Sequence, residues 1–154
     1  MSTPLFNHVS VTCADFERSL AFYHELLELP ILEQGEVSNA DVEAVIGLGQ
    51  VRLRYAEIGF GEGGFLELFE YLEPRGTPVS SRTCDPGNVH FCLEVEDIDA
   101  IHQRLTAAGV TTRSAPVRLS GGEWKGAGAF YAVDPDGVTI ELIEFPGKAW
   151  AAAP

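Results

Sequence analysis

The chain repeats itself once, and that duplication limits the folds open to it. His8 opens His-Val-Ser-Val-Thr-Cys-Ala-Asp, ending at Asp15, and His90 opens His-Phe-Cys-Leu-Glu-Val-Glu-Asp, ending at Asp97. In both copies Asp follows His by seven residues, and the copies are offset by 90 − 8 = 82. Each stretch alternates as a strand does, and each Asp is placed to cap a helix. The first helix carries an apolar stripe of Phe16, Leu20, Tyr23 and Leu27; the second carries Ile98, Ile101, Leu105 and Ala108, with Gly109 as a C-terminal stop. The units also end alike, in Leu66-Glu67-Leu68-Phe69-Glu70 and Ile140-Glu141-Leu142-Ile143-Glu144. The offset there is 141 − 67 = 74, so the first unit has the longer middle.

Between helix and final strand each unit has room for two more strands, near 31–38 and 50–58 in the first and near 111–118 and 126–133 in the second. Asp134-Pro135-Asp136-Gly137 turns the chain into the last strand. The order reads βαβββ twice, an α+β class with helices on one face of the sheet. Module one is expected at about 5–72, a linker rich in Pro, Gly, Ser and Thr at 73–87, and module two at 88–146. Met1–Pro4 and Ala149–Pro154 are expected as frayed ends.

Strand parity then separates faces. Val9 and Val11 oppose His8, Ser10 and Thr12, and Leu66 and Leu68 oppose Phe65, Glu67, Phe69 and Tyr71. Phe91 and Leu93 oppose His90, Cys92 and Glu94, and Ile140 and Leu142 oppose Thr139, Glu141 and Ile143. With the apolar faces against the helices, the other face carries His8, Glu67, His90 and Glu141, one per strand. Two imidazoles and two carboxylates supply nitrogen and oxygen donors that suit a divalent transition metal and disfavour calcium or magnesium. A lone strand His is more often a satisfied residue than a ligand, and a lone Glu is usually solvated. Four such residues at equivalent places in two copies are harder to dismiss, because burying carboxylates unpaired is costly.

Composition narrows the partners. Ten basic against 23 acidic residues give a formal charge of −13, which repels nucleic acid and anionic membranes. Apolar residues make up 45% of the 154, enough for a proper core. The start shows no basic segment followed by an apolar stretch, and no run approaches a membrane span. Cys13, Cys84 and Cys92 form no CxxC pair, so a disulfide framework and a thiolate zinc site are both disfavoured, and the expected compartment is the cytoplasm. Cys13 and Cys92, within strand patterns, are read as small hydrophobes.

The stretches FNHVSVTCADFERSLAFYHELLELPIL, NVHFCLEVEDIDAIHQRLTAAGV and FYAVDPDGVTIELIE resemble the vicinal oxygen chelate superfamily, which holds glyoxalase I, bleomycin resistance proteins and dioxygenases. The likeness runs from about Leu5 to Pro146. It implies paired βαβββ modules in a U-shaped sheet around a metal, with helices on the convex face. Glyoxalase I and methylmalonyl-CoA epimerase place ligands on the first and fourth strands of each module. Carried over, these positions are His8, Glu67, His90 and Glu141. Extradiol dioxygenases and fosfomycin-resistance transferases lack a ligand at the equivalent of Glu67, and bleomycin-binding relatives generally lack the set. The resemblance also implies a homodimer and leaves open whether the ligands come from one chain or two.

The implied activity is that of a metal-dependent lyase or isomerase. A proton next to a carbonyl is abstracted and an enediolate is stabilised by the ion, which would be Ni, Zn, Co or Mn. Glu141 is the first choice for the base and Glu67 the second, with His8 and His90 as ligands throughout; such a base contributes about 10²–10⁴-fold. One alternative is a methylmalonyl-CoA-type epimerase, which needs a basic grip that only Arg52, Arg54, Arg75, Arg82 and Lys125 could supply. Arg52 and Arg54 read otherwise as residues of a solvated edge strand. Another is a non-catalytic drug- or metabolite-binding protein lined by Phe65, Phe69, Tyr71, Trp124 and Tyr131, aromatics that at such positions usually just pack. Ser10, Thr12 and Thr139 are candidate supports for the ligands, though strand preference alone explains the threonines. His24 and His102 are read as surface residues.

Overall fold

In each repeat an Asp ends the first strand and starts a helix. The computed structural model describes residues 3–147, so the expected end Ala149–Pro154, like Met1 and Ser2, lies outside the described residues. Strand β1, His8–Cys13, runs to Asp15, whose carboxylate accepts from the Arg18 backbone N–H at 3.1 Å and starts α1, Phe16–Leu20. The coil then widens to π-helical turns over Ala21–Leu26, with Leu27 N–H donating to Phe22 C=O at 3.1 Å. Phe16, Phe22, Tyr23 and Leu27 are buried, whereas Leu20 of the expected stripe is only half-buried. Strands β2, Ile31–Val37, β3, Arg52–Gly59, and β4, Phe65–Glu73, complete the unit.

The second copy follows the same course: β5, His90–Glu94, then a helix Ile98–Ala107, then β6, Val117–Arg118, β7, Gly128–Val133, and β8, Thr139–Glu144. Asp97 caps that helix by accepting from Asp99 N–H at 3.1 Å and Ala100 N–H at 2.8 Å. Ile98, Ile101 and Leu105 are buried, whereas Ala108 is exposed at the C-terminal end. Gly109, at φ +79, adopts the left-handed conformation expected of a stop. The chain divides into two compact units, Met1–Val79 and Ser80–Pro154.

Each unit is one four-stranded mixed sheet, ordered β1-β4-β3-β2 in the first and β5-β8-β7-β6 in the second. The first and last strands of a unit pair in parallel, and the other pairings are antiparallel. This is the expected tandem βαβββ architecture. Val11, Ala56, Ile58, Leu66 and Leu68 are buried in the first unit, and Ala132, Ile140 and Leu142 in the second. A fully buried Leu contributes about 1.5–3 kcal/mol, so Leu66 and Leu68 fix the register that leaves Glu67 on the opposite face.

The longer middle of the first unit is an unexpected helix, α2, Ala40–Ile46, between β2 and β3. Asn39 caps it by accepting from Val42 N–H at 3.0 Å, and Gly47 ends it at φ +76. The helix of the second unit is α3. Expected strand 111–118 is reduced to the two residues of β6 and an isolated bridge between Thr112 and Ala132.

Three side-chain readings change. β3 is an interior strand, so Arg54 is not a solvated edge residue; its guanidinium lies over Phe16 and bonds Glu17 at 2.7 Å. His102 is half-buried, with its ring edge-on to Phe130 at 5.0 Å, because α3 lays it against β7. Cys92 is an exposed residue opposite Glu141 and no part of a core, unlike buried Cys13. His24 is exposed as expected, and its Nδ1 lies 2.8 Å from Leu29 C=O.

Candidate metal centre

Parallel pairing of first and last strands brings a His and a Glu together in each unit. In the first, Ser10 is the register partner of Glu67, and His8 lies two residues earlier on the same face. His8 Nε2 is 3.0 Å from Glu67 Oε2. That same oxygen accepts a hydrogen bond from Ser10 Oγ at 2.9 Å. The other ring nitrogen, His8 Nδ1, is 2.7 Å from Asn7 Oδ1, and the ring stacks on Phe65 at 5.2 Å. Glu57 is the register partner of Glu67 on its other side.

The second unit repeats the donors with different neighbours. His90 Nε2 lies 3.4 Å from Glu141 Oε2, and the His90 ring is tilted against Tyr131 at 5.2 Å. Cys92 and Tyr131 are the register partners of Glu141. Desolvation, followed by the charges of Glu141 and Glu94, pushes the Cys92 thiol up to about 12, so it stays protonated at neutral pH. Tyr131 is raised as well, first by burial and then by Glu141.

The bonding in the first pair suits a cation. With Nδ1–H donating to the Asn7 amide oxygen, a neutral His8 turns the Nε2 lone pair toward a carboxylate oxygen at 3.0 Å. Two acceptors face each other there, and a proton or a metal ion resolves the conflict. Donors bound at about 2.0–2.2 Å to a common ion sit roughly 3–3.5 Å apart, which both pairs satisfy. Carboxylates opposite one another at Glu57 and Glu67 add negative potential beside the same point. The donor chemistry therefore fits a divalent ion.

The four expected residues thus fall into two pairs, His8 with Glu67 and His90 with Glu141. Among the described residues, no group of three or more His, Cys, Asp or Glu is gathered to hold an ion. Ser10 donates to Glu67, whereas Thr12 and Thr139 make no hydrogen bond to either pair among the described residues. Asn7 and Glu57 were missed at the sequence level, and Asn7 lies outside the strand. Parity already puts Cys92 on the face of His90, but reading it as a small hydrophobe hides its position beside Glu141. Of the aromatics, Phe65 and Tyr131 touch the histidines, while Phe69 packs on Tyr71 and Trp124 on Phe145. Four arginines weighed as an anion grip are tied to carboxylates: Arg52 to Glu36, Arg54 to Glu17, Arg75 to Glu70 and Arg82 to Asp85.

A sequence model of the Glyoxalase/Bleomycin resistance protein/Dioxygenase superfamily matches residues 5–142. The chain belongs to that superfamily. Within this glyoxalase superfamily it is 29% identical over 152 residues to a 2-epi-5-epi-valiolone epimerase of Actinomyces, covering 93% of this chain and 80% of the relative. It is 26% identical over 139 residues to a lactoylglutathione lyase of Arabidopsis thaliana, covering 90% of this chain. The chain spans 44% of that lyase's length. Among solved structures, a glyoxalase family protein from Bacillus cereus superposes with a TM-score of 0.81 at 20% identity, covering 94% of this chain and 95% of the other. That likeness concerns the fold. The named relatives in sequence are enzymes. No helix among the described residues is long and apolar enough to cross a membrane.

Proposed function

We propose that this member of the superfamily is a metal-dependent lyase or isomerase of the glyoxalase I type, removing a proton from carbon next to a carbonyl. The observation that carries the reading is the repeated His–Glu pair, 3.0 and 3.4 Å between donor atoms, at equivalent strands of both units. A binding protein without chemistry has no need of both pairs. His8, Glu67, His90 and Glu141 would hold the ion, with Ni, Zn, Co or Mn suited to imidazole and carboxylate. Once bound, the ion supplies Lewis-acid stabilisation of the negative charge that develops on the substrate oxygen.

The side chains divide the remaining work. Glu141 takes the carbon-bound proton, and Glu67 is the second choice for that role. Return of the proton to a different carbon isomerises; return to the opposite face of the same carbon epimerises. His8 and His90 remain ligands throughout and keep the site in place. Aromatic contacts from Phe65 and Tyr131 shield one side of each imidazole from water. The working form is a homodimer in the cytoplasm, acting on a small molecule.

Epimerisation is the second reading, and the 29% identity to a valiolone epimerase, of which the chain covers 80%, favours it over the lyases in that respect. A CoA thioester is the less favoured epimerase substrate, because Arg52, Arg54, Arg75 and Arg82 are engaged with carboxylates. The test is metal content per chain by elemental analysis of wild type, Glu67→Gln and His90→Ala. About one equivalent in wild type and a loss in both variants is the expected result. Wild type that takes up no Ni, Co, Zn or Mn on reconstitution overturns the enzyme reading in favour of a binding protein.

A further inference from the structure

The two donor pairs are supported unequally. Ser10 and Cys92 are equivalent residues, since 92 − 10 = 82 is the offset that relates His8 to His90. Each is also the strand partner of its unit's glutamate, Ser10 of Glu67 and Cys92 of Glu141. Ser10 donates a hydroxyl hydrogen bond of 2.9 Å to Glu67 Oε2. Among the described residues, Cys92 donates none to Glu141. A thiol is a weak donor in any case.

The histidines differ in the same sense. His8 has Asn7 Oδ1 at 2.7 Å from the ring nitrogen that faces away from the glutamate, a contact that holds the rotation of the ring. Among the described residues, no side chain hydrogen-bonds the ring nitrogen of His90 that faces away from Glu141; the tilted Tyr131 ring and the strand partner Thr139 lie beside it. Partners on the far side of a ligand orient it and raise its basicity, and removing one weakens metal binding by about 10- to 100-fold.

We infer that Asn7 and Ser10 are positioning residues that pre-set His8 and Glu67 for metal binding, while Cys92 in place of a second Ser leaves Glu141 untethered. The inference rests on the metal-site reading above. It gives a physical reason for the division of labour between two chemically identical carboxylates. A ligand must hold one rotamer, and a hydroxyl anchored on the neighbouring strand holds it. A base must turn from its resting contact toward a carbon-bound proton and back, and a strong tether there would oppose the movement. Glu67 carries the tether and Glu141 does not. Substituting Ser for Cys at 92 would need only one atom changed, so the fold leaves room for a tether at Glu141 that the sequence does not use.

The test titrates the metal-free protein with Co²⁺ alone and follows binding by calorimetry, for wild type, Ser10→Ala, Ser10→Thr and Cys92→Ala. Ser10 is exposed, so losing its hydroxyl opens no cavity in the core. Expected is a loss of about 10- to 100-fold in Co²⁺ affinity for Ser10→Ala. Recovery toward wild type is expected in Ser10→Thr, and near-wild-type affinity in Cys92→Ala. Rescue by Thr separates positioning from a general loss of structure, because Thr restores the hydroxyl and adds bulk. Wild-type binding with Ser10→Ala unaffected, or without rescue by Thr, overturns this inference and leaves the metal reading standing. An equal loss in Cys92→Ala also overturns it, since the thiol would then be serving as a donor itself. Wild type that binds no Co²⁺ overturns the metal reading, and this inference with it.

Discussion

The Arg54 guanidinium carbon sits 4.2 Å from the centre of the Phe16 ring, so an interior strand and the first turn of α1 are joined by a cation over an aromatic face. Arg54 also bonds Glu17 at 2.7 Å, but the Glu17 side chain is 72% exposed. A solvent-exposed ion pair contributes about 0–1 kcal/mol, and a partly shielded cation on a ring about 0.5–1 kcal/mol or more. Arg54→Ala is therefore expected to lower stability by about 1–2 kcal/mol in urea unfolding, and Glu17→Ala by clearly less. Equal losses in the two variants would show that the ion pair, and not the ring contact, matters.

Gly64 controls how β1 and β4 come together. A Cβ at this residue would clash with the Asn7 carbonyl oxygen, and its φ of +103 already disfavours a side chain. Gly63, one residue earlier, has open space around an added Cβ. Gly64→Ala should cost upwards of about 1–3 kcal/mol by chemical denaturation, with Gly63→Ala close to wild type. Because Asn7 also bonds His8, the same substitution should weaken Co²⁺ binding. A Gly64→Ala protein as stable as Gly63→Ala would mean that the join tolerates a shifted Asn7.

Helix caps give a graded pair. Asp97 accepts from two backbone N–H groups and Asp15 from one. Replacement of a cap by Ala costs about 0.5–2 kcal/mol. Asp97→Ala is expected toward the upper end and Asp15→Ala toward the lower, read from denaturation midpoints. The reverse order would show that the number of capped groups does not set the cost.

Glu144 predicts an acid-sensitive increment. The Ile98 backbone N–H donates to it at 3.0 Å and Arg118 at 3.1 Å, and these hold its carboxyl below the usual range, the backbone bond foremost. A depressed folded value means that the unfolded chain takes up the proton first as pH falls. The stabilisation is thus full well above the ordinary carboxylate value of about 4.3 and disappears as pH drops through the lowered folded value. Glu144→Gln keeps an acceptor for Ile98 and removes the charge. The stability gap between wild type and Glu144→Gln should be constant near neutral pH and narrow below about pH 4.3. A gap unchanged down to acid unfolding would rule out this role for the charge.

Much of this was legible in the residues because duplication doubles every signal. Asp15 and Asp97 marked both helix starts, and alternation around Glu67 and Glu141 assigned their faces correctly. Helix α2 escaped because it is short and none of its residues is buried, although Val42 and Ile46 lie one turn apart and Asn39 and Gly47 are ordinary cap signals. β6 was overextended because Thr112 makes only an isolated bridge, which composition does not distinguish from a strand. Arg54 was misplaced since strand order, which periodicity does not encode, decides which strands lie inside a sheet. Repeat matching and parity put His8 and Glu67 on corresponding faces, but that β1 and β4 are neighbours, and the contacts of Asn7 and Ser10, needed atomic positions.

The parallel pairing of β1 with β4, and of β5 with β8, has a consequence for how such a protein is made. The members of each His–Glu pair are 67 − 8 = 59 and 141 − 90 = 51 residues apart in sequence, at opposite ends of their units. A ribosome must therefore release almost a whole unit before the pair can exist, and a truncated or half-folded unit presents isolated side chains with no chelating geometry. Long-range contacts of this kind form late, after the closure entropy of the intervening chain has been met. Each donor pair is in this sense a marker that its own unit has been made and folded, and the first pair can form while the second unit is still being synthesised.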